Sequence, residues 1–94
     1  MKYRRDQLDI IVDVLEVIDD GMGSKSGIMK NANLSSVLAE KYTSILAEKG
    51  LITYKDGRYE ITEKGKQVLE RLRRIRRLQL EIDELINSVS KELF

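Results

Sequence analysis

The chain has 94 residues, enough for one domain with a modest core and an appended helix. It contains neither cysteine nor histidine, which excludes disulfides, Cys-ligated zinc and the commonest general base. No apolar run approaches the roughly 18 residues of a membrane span, and the first residues lack the pattern of a signal peptide. The composition favours a cytoplasmic protein that is not an enzyme, needs no cofactor and has no membrane partner.

The charges are unevenly distributed, although the net charge is only +1. Residues 6–23 contain six of the 16 acidic residues and neither Lys nor Arg, whereas all 17 basic residues lie elsewhere. We therefore expect a dipolar molecule with an acidic first helix and basic surfaces elsewhere. A short basic arm in residues 1–5 carries Lys2, Arg4 and Arg5.

Helix 1 is predicted from about Asp6, a good N-cap, to about Asp20, where Gly21 and Gly23 end it. Apolar residues at spacings of three and four predict a buried stripe on one face. The stripe consists of Leu8, Ile11, Leu15 and Ile18, widened by Val12 and Val14. The opposite face is interpreted as solvated surface and carries Asp9, Asp13, Glu16 and Asp20.

Two more helices follow and are joined by a short turn. Helix 2 is predicted over about Ser26 to Ala32, and helix 3 begins after its cap, Ser35, and runs to Lys49. Two helices joined in this way are typical of a helix-turn-helix unit, whose second helix enters the major groove of DNA. The inner face of helix 3 is predicted to comprise Leu38, Tyr42, Ile45 and Leu46.

The outward face of helix 3 carries few side chains that are suited to reading bases. It is predicted to comprise Ser36, Glu40, Thr43, Ser44 and Ala47, with Val37 and Lys41 at its edges. Of the good bidentate readers Arg, Lys, Asn and Gln, only Lys41 is present. Phosphate contacts are available from Ser35, Ser36, Lys25, Lys30, Asn31 and Asn33. The sequence favours binding through phosphates and DNA shape; the alternative is a helix-turn-helix that serves only as a packing scaffold.

A β-hairpin is predicted between helix 3 and the next helix. Gly50 fits the position just past a helix end, Asp56-Gly57 is a strong hairpin turn, and Thr62 caps the following helix. A two-residue loop pairs Ile52 with Ile61, Thr53 with Glu60, Tyr54 with Tyr59, and Lys55 with Arg58. Helix, hairpin and helix in this order form the wing of a winged helix-turn-helix domain.

The tip of this wing places two cations directly opposite each other. Lys55 and Arg58 share one face of the hairpin, and like charges in that position are destabilising. A phosphate between the two side chains would relieve the repulsion. The alternative is that both side chains are solvated and turned apart.

From Thr62 the chain is predicted to continue as one helix to its end. Its apolar residues alternate at spacings of four and three, a heptad pattern with one polar interruption. The pattern comprises Val68, Leu72, Ile75, Gln79, Ile82, Ile86, Val89 and Leu93. About 30 helical residues span about 45 Å, too long to fold back on the domain. We expect a winged domain over residues 1–66 and a homodimerisation helix over residues 67–94.

The charges that flank this stripe favour an antiparallel coiled coil. In a parallel pair, Arg71 would meet Arg76 of the partner subunit and repel it. An antiparallel pair centred near residues 80–81 instead brings Arg76 to the partner's Asp83 and Arg71 to the partner's Glu92. Three arginines are predicted to point outward: Arg73, Arg74 and Arg77. They either contact DNA or keep the helix soluble.

Three stretches resemble a known family: Ser26-Gly-Ile-Met-Lys-Asn-Ala-Asn-Leu-Ser35, Tyr42 with Glu48-Lys-Gly-Leu-Ile52, and Tyr59-Glu-Ile-Thr-Glu-Lys-Gly65. Together with the terminal heptad helix, they resemble the small archaeal DNA-binding proteins of the Sulfolobus "10a" type over nearly the whole chain. The resemblance implies an antiparallel coiled-coil homodimer with a winged helix at each end. It also implies binding to double-stranded DNA with little sequence preference, in chromatin organisation or transcriptional control within the nucleoid.

A second interpretation keeps the fold but changes the partner. A winged helix can serve protein assembly, with the coil as its dimer interface and no DNA binding at moderate salt. Under the first interpretation, the predicted DNA contacts are Lys25, Lys30, Asn33, Ser35, Ser36, Lys41, Lys55 and Arg58.

Overall fold

A computed structural model describes residues 6–94 of the chain. The helices are α1 (Gln7–Asp19), α2 (Lys25–Asn31), α3 (Ser36–Glu48) and α4 (Glu63–Leu93), and the strands are β1 (Ile52–Lys55) and β2 (Arg58–Ile61). The predicted architecture, mainly α with one small hairpin and a long C-terminal helix, is confirmed. The basic arm predicted in residues 1–5 lies outside the described residues.

Each helix begins at a polar side chain that satisfies backbone N–H groups of its first turn. Asp6 accepts a hydrogen bond from the Asp9 N–H at 2.9 Å, and the Asp9 carboxylate accepts one from the Asp6 N–H, which closes a capping box. The other three caps also accept from the N–H three residues later; they are Ser24, Ser35 and Thr62. Because Ser24 is the cap of α2, that helix begins at Lys25, one residue earlier than predicted.

The core lies where α1, α2 and α3 meet the hairpin and the first turns of α4. Its largest fully buried side chains are Val14, Leu15, Ile28, Leu46, Ile52 and Leu69. Val68 and Leu72, the first two members of the predicted dimer stripe, pack against this core from α4. Among the described residues, none beyond Leu72 belongs to the core. The first turns of α4 therefore close the core, and the apolar residues of the helix beyond Leu72 lie outside it.

The second part of α4 carries its apolar side chains in contact with solvent. The helix has 31 residues, about 46 Å of length, and the molecule extends 56 Å along its longest axis. The exposed apolar side chains of this part are Ile75, Leu78, Leu80, Ile82, Leu85, Ile86, Val89 and Leu93. The predicted heptad stripe is therefore an uncovered surface from Ile75 onward.

The hairpin has the predicted register, with Tyr54 opposite Tyr59 and Lys55 opposite Arg58. Both turn residues have positive φ, 54° at Asp56 and 83° at Gly57, as a type I′ turn requires. The Tyr59 N–H also donates to the Gly23 carbonyl at 2.8 Å. A Cβ atom on residue 23 would overlap the Tyr59 carbonyl oxygen. A glycine is therefore required where the α1–α2 loop holds β2.

The acidic face of α1 packs towards α4. The Arg76 guanidinium lies 3.4 Å from the Asp9 carboxylate and 3.8 Å from those of Asp13 and Glu16. The Arg73 guanidinium lies 3.9 Å from Glu16. The predictions that this face is plain solvated surface and that Arg73 points outward are therefore wrong. Each such partly exposed pair contributes at most about 1 kcal/mol, so the network orients α4 more than it stabilises the domain.

Three side chains of the domain are placed differently from the prediction. Leu8 and Leu38, expected in the core, are 50% and 38% exposed, since each lies in the first turn of its helix, at the margin of the core. Thr43, expected on the outward face of α3, is only 5% exposed. Its hydroxyl donates to the Ala39 carbonyl at 2.8 Å. A threonine satisfied by its own helix can be buried, so its polarity did not indicate exposure.

Candidate nucleic-acid interface

The start of α2, the outer face of α3 and the hairpin meet around one groove. The groove has a volume of about 260 Å³. Its lining residues are Lys25, Ile28, Ala39, Glu40, Thr43, Ser44, Tyr54 and Tyr59. The fold thus brings together three of the segments from which DNA contacts were predicted. All of the predicted contacts are exposed: Lys25, Lys30, Asn33, Ser35, Ser36, Lys41, Lys55 and Arg58.

The N-terminus of α3 is open to solvent at Ser35 and Ser36. The Ser35 hydroxyl oxygen accepts from the Leu38 N–H at 3.2 Å, which leaves its own O–H available as a donor. Ser36 is the first residue of the helix and adds a second hydroxyl. Two hydroxyl donors beside the positive end of a helix dipole favour an anionic partner.

The middle of the α3 face carries both signs of charge. The Lys25 ammonium lies 3.7 Å from the Glu40 carboxylate, and both side chains remain exposed. This pair offsets part of the positive charge that Lys25 was predicted to offer to a phosphate. The Lys41 ammonium lies 5.6 Å from the centroid of the Tyr42 ring, a cation–π contact. Lys41 is therefore positioned along the helix surface while its charge stays in solvent.

The wing tip carries the arrangement predicted from the turn. Lys55 and Arg58 are directly opposed across the two strands, and both are exposed. Neither cation has an ion-pair partner among residues 6–94. The tip thus presents two positive charges side by side, neither of them in an ion pair, with the exposed Asp56 in the turn that joins the two strands.

Two side chains at this surface were not among the predicted contacts. The Tyr54 ring is 65% exposed and meets the Tyr59 ring edge to face, with centroids 5.0 Å apart. Both rings border the groove, but only Tyr59 packs against the core. The two tyrosines lie on one face of the hairpin, which the sequence pattern predicts to cover the core, and the prediction is wrong for Tyr54. Val37, in the first turn of α3, is also exposed. The prediction of base readers covered only polar side chains and therefore missed these two residues. Apolar side chains also recognise bases, by contact with the thymine methyl group.

Comparison with known proteins identifies the fold. The family model described as winged helix-turn-helix matches residues 4–80. The chain belongs to the winged helix-turn-helix family. In this family's terms, α2 and α3 form the helix-turn-helix unit, and β1 with β2 forms the wing. Among residues 6–94, no helix is long and apolar enough to cross a membrane.

Two relatives come from the archaeon Methanocaldococcus jannaschii. The protein MJ0287 is 32% identical over 87 residues, which cover 93% of this chain and 82% of the relative. The protein MJ0290 is 32% identical over 75 residues, which cover 80% of this chain but only 36% of that longer protein. The matched sequence thus recurs in archaeal chains of different lengths.

A solved structure matches both parts of the molecule. The crystal structure of Sso10a-2, a DNA-binding protein from Sulfolobus solfataricus, aligns with a TM-score of 0.84 at 25% sequence identity. The alignment covers 96% of this chain and 98% of that one, so it includes most of α4 as well as the winged helix. The resemblance to the Sulfolobus 10a type, predicted from the sequence, is confirmed.

Proposed function

We propose that this winged-helix protein is a homodimer that binds double-stranded DNA mainly through phosphates, as a chromatin-architectural protein or transcriptional regulator of the nucleoid. The wing tip carries the proposal. Opposed Lys55 and Arg58 side chains repel each other in the free protein. A phosphate oxygen between them would replace that repulsion with charge-assisted hydrogen bonds. The structural likeness to Sso10a-2, a DNA-binding protein, supports the same partner.

The helix-turn-helix unit supplies the remaining contacts in this proposal. Ser35 and Ser36 donate to a phosphate at the start of α3, which lies in or over the major groove. Further contacts to the DNA backbone come from Lys25, Lys30, Asn33 and Lys41. In this proposal these groups contact phosphates rather than base edges, so the protein binds DNA with little sequence preference.

The uncovered stripe of α4 supports the homodimer. Large exposed apolar surfaces mark interaction sites. This surface extends from α4 to the neighbouring residues of α1. A groove of about 470 Å³ between α1 and α4 contains Leu8, Val12, Leu72, Ile75 and Leu80 among its lining residues. Leu8, half exposed in one protomer, would then contact the partner helix.

The antiparallel orientation follows from the charges beside the stripe. Arg71 remains available for the partner's Glu92, and Leu78 would pack against the partner's Leu85. Arg76 already contacts Asp9 of its own chain. In the dimer, its guanidinium would therefore contact both Asp9 and the partner's Asp83. Two winged domains held apart by this coil would bridge two duplexes or bend one.

The direct test is a titration of a fluorescent duplex at several salt concentrations, with one arbitrary sequence and its scrambled counterpart. The proposed function predicts affinity that falls steeply with salt, because each neutralised phosphate contributes about −0.9 to the slope of log K against log salt. It also predicts nearly equal affinity for the two sequences. A lack of binding even at low salt would contradict it.

A second function is favoured by one observation, the Glu40 carboxylate on the α3 face, which repels phosphates. In that case the winged helix is a protein-interaction module, and α4 is its dimer interface. The same titration separates the two functions, because the interaction module predicts a stable dimer that does not bind the duplex at moderate salt.

A further inference from the structure

The first turn of helix α3 carries a large apolar side chain in contact with solvent. Val37 is the second residue of the helix and is 77% exposed. Among residues 6–62, which precede α4, no other large hydrophobic side chain is as exposed. The exposed apolar residues of α4 form one continuous stripe that suits a partner helix. Val37 lies apart from that stripe and makes no contribution to the core, so neither the dimer nor the folding of the domain accounts for it.

The side chain that follows on the same face also has no affinity for phosphate. Glu40 is three residues after Val37, which places both on one face of the helix. The Glu40 carboxylate is exposed and lies 3.7 Å from the Lys25 ammonium. The hydroxyls of Ser35 and Ser36 lie at the end of the helix, and Lys55 and Arg58 lie at the wing tip. Val37 and Glu40 therefore form a patch that is unsuited to phosphate, on the same helix as the two hydroxyls.

The edges of bases in the major groove offer partners for such a patch. Residues near the N-terminus of the second helix of a helix-turn-helix unit are those that reach base edges. There, thymine presents its C5-methyl group to apolar side chains, and cytosine presents an amino group to carboxylates. Exposed valine matches the first of these, since burying it against a methyl group removes both apolar surfaces from water.

We propose that Val37 packs against the C5-methyl groups of thymine in the major groove and gives the protein a preference for thymine-containing sites. This inference rests on the proposed DNA binding and adds a specificity-determining residue to it. The preference is superimposed on binding that depends mainly on phosphates. The preference for thymine is therefore modest, because each bound domain gains one methyl contact.

The experiment compares two duplexes that differ only in this methyl group. One contains thymine, and in the other every thymine of both strands is replaced by uracil, which pairs identically but lacks the methyl. We expect the wild-type protein to bind the uracil duplex about fourfold more weakly for each methyl contacted. Val37→Ala should bring the ratio of the two affinities closer to one, because its shorter side chain loses most of the contact, and Val37→Ile should retain the wild-type ratio. Both variants change an exposed side chain and should keep the wild-type melting temperature and salt slope.

The outcomes separate this inference from the function on which it rests. Equal binding of both duplexes by the wild-type protein would overturn the role of Val37 and leave DNA binding intact. A wild-type ratio that persists in Val37→Ala would also overturn it, because the preference would then come from altered duplex shape. If neither duplex binds at low salt, the proposed function itself fails, and this inference with it.

Discussion

The double substitution Ile82→Glu with Ile86→Glu is expected to convert the protein from a dimer into a monomer. Both side chains lie on the exposed stripe of α4, near the centre of the proposed antiparallel coil. Four carboxylates in one dimer would have to leave water without partners, a cost of several kcal/mol. Sedimentation equilibrium should report the mass of one chain, 10.9 kDa, where the wild-type protein gives twice that mass.

The monomer should retain its winged-helix domain. The core ends at Leu72 in the described part of the chain, ten residues before the first substitution. We therefore expect the far-ultraviolet signal of helix to decrease, because the second part of α4 loses its partner. The near-ultraviolet signal should persist, since buried Tyr42 and partly buried Tyr59 keep their surroundings.

A matched control places the same charge on another face of the same helix segment. Asn87→Glu with Ser88→Glu also adds two carboxylates per chain, at exposed positions beside the stripe. This variant should remain a dimer. If Ile82→Glu with Ile86→Glu also remains a dimer at micromolar concentration, the interface does not involve this part of α4, and the coiled coil is wrong.

The double substitution Lys55→Ala with Arg58→Ala should weaken DNA binding by about the same factor on every sequence. Each cation is proposed to contact phosphate, so the salt slope should fall by about 2 for each bound domain. The free protein should not lose stability, because a repulsive cross-strand pair is removed. Titrations at four or five salt concentrations and thermal unfolding at low salt measure the two effects.

The control for this variant removes the same charge away from the wing. Lys66 and Lys91 are exposed residues of α4, and Lys66→Ala with Lys91→Ala lowers the net charge by the same amount. The salt slope of this control should match that of the wild-type protein. An unchanged slope in the wing variant would contradict the phosphate contacts at the tip, even if the affinity decreased through the general loss of positive charge.

Features determined by neighbouring residues were predictable from the sequence. Asp56 and Gly57 fix the hairpin because a two-residue loop with positive φ at both positions allows one register. Ser35 and Thr62 mark helix starts because their side chains bond to the N–H three residues later. Such signals act within four residues, so they do not depend on how the domain folds.

Features that depend on distant residues were not predictable in the same way. Arg76 and Asp9 are 67 positions apart, and only the packing of α1 against α4 brings them together. The periodicity of α4 showed which residues share a face, but it could not show that Val68 and Leu72 pack on their own domain. The heptad pattern looks identical whether its partner lies in the same chain or in another.

The candidate interface was partly predictable for a related reason. Cations at a turn, such as Lys55 and Arg58, remain exposed in almost any fold, so their availability could be inferred from the sequence. The pairing of Lys25 with Glu40 requires α2 to lie across α3, which the sequence does not specify. The exposure of Val37 is likewise a tertiary property, because the same residue in a helix turned by 100° would join the core.

The central claim, a dimer with one DNA-binding domain at each end of a coil, is tested most directly by stoichiometry. A duplex of about 12 base pairs is little more than one helical turn, which is the spacing between half-sites bound by two helix-turn-helix units, so one duplex should not hold both domains. Sedimentation velocity with excess labelled duplex at low salt should show two duplexes bound per dimer. One duplex per dimer would contradict independent domains at the two ends, and none would contradict DNA binding altogether.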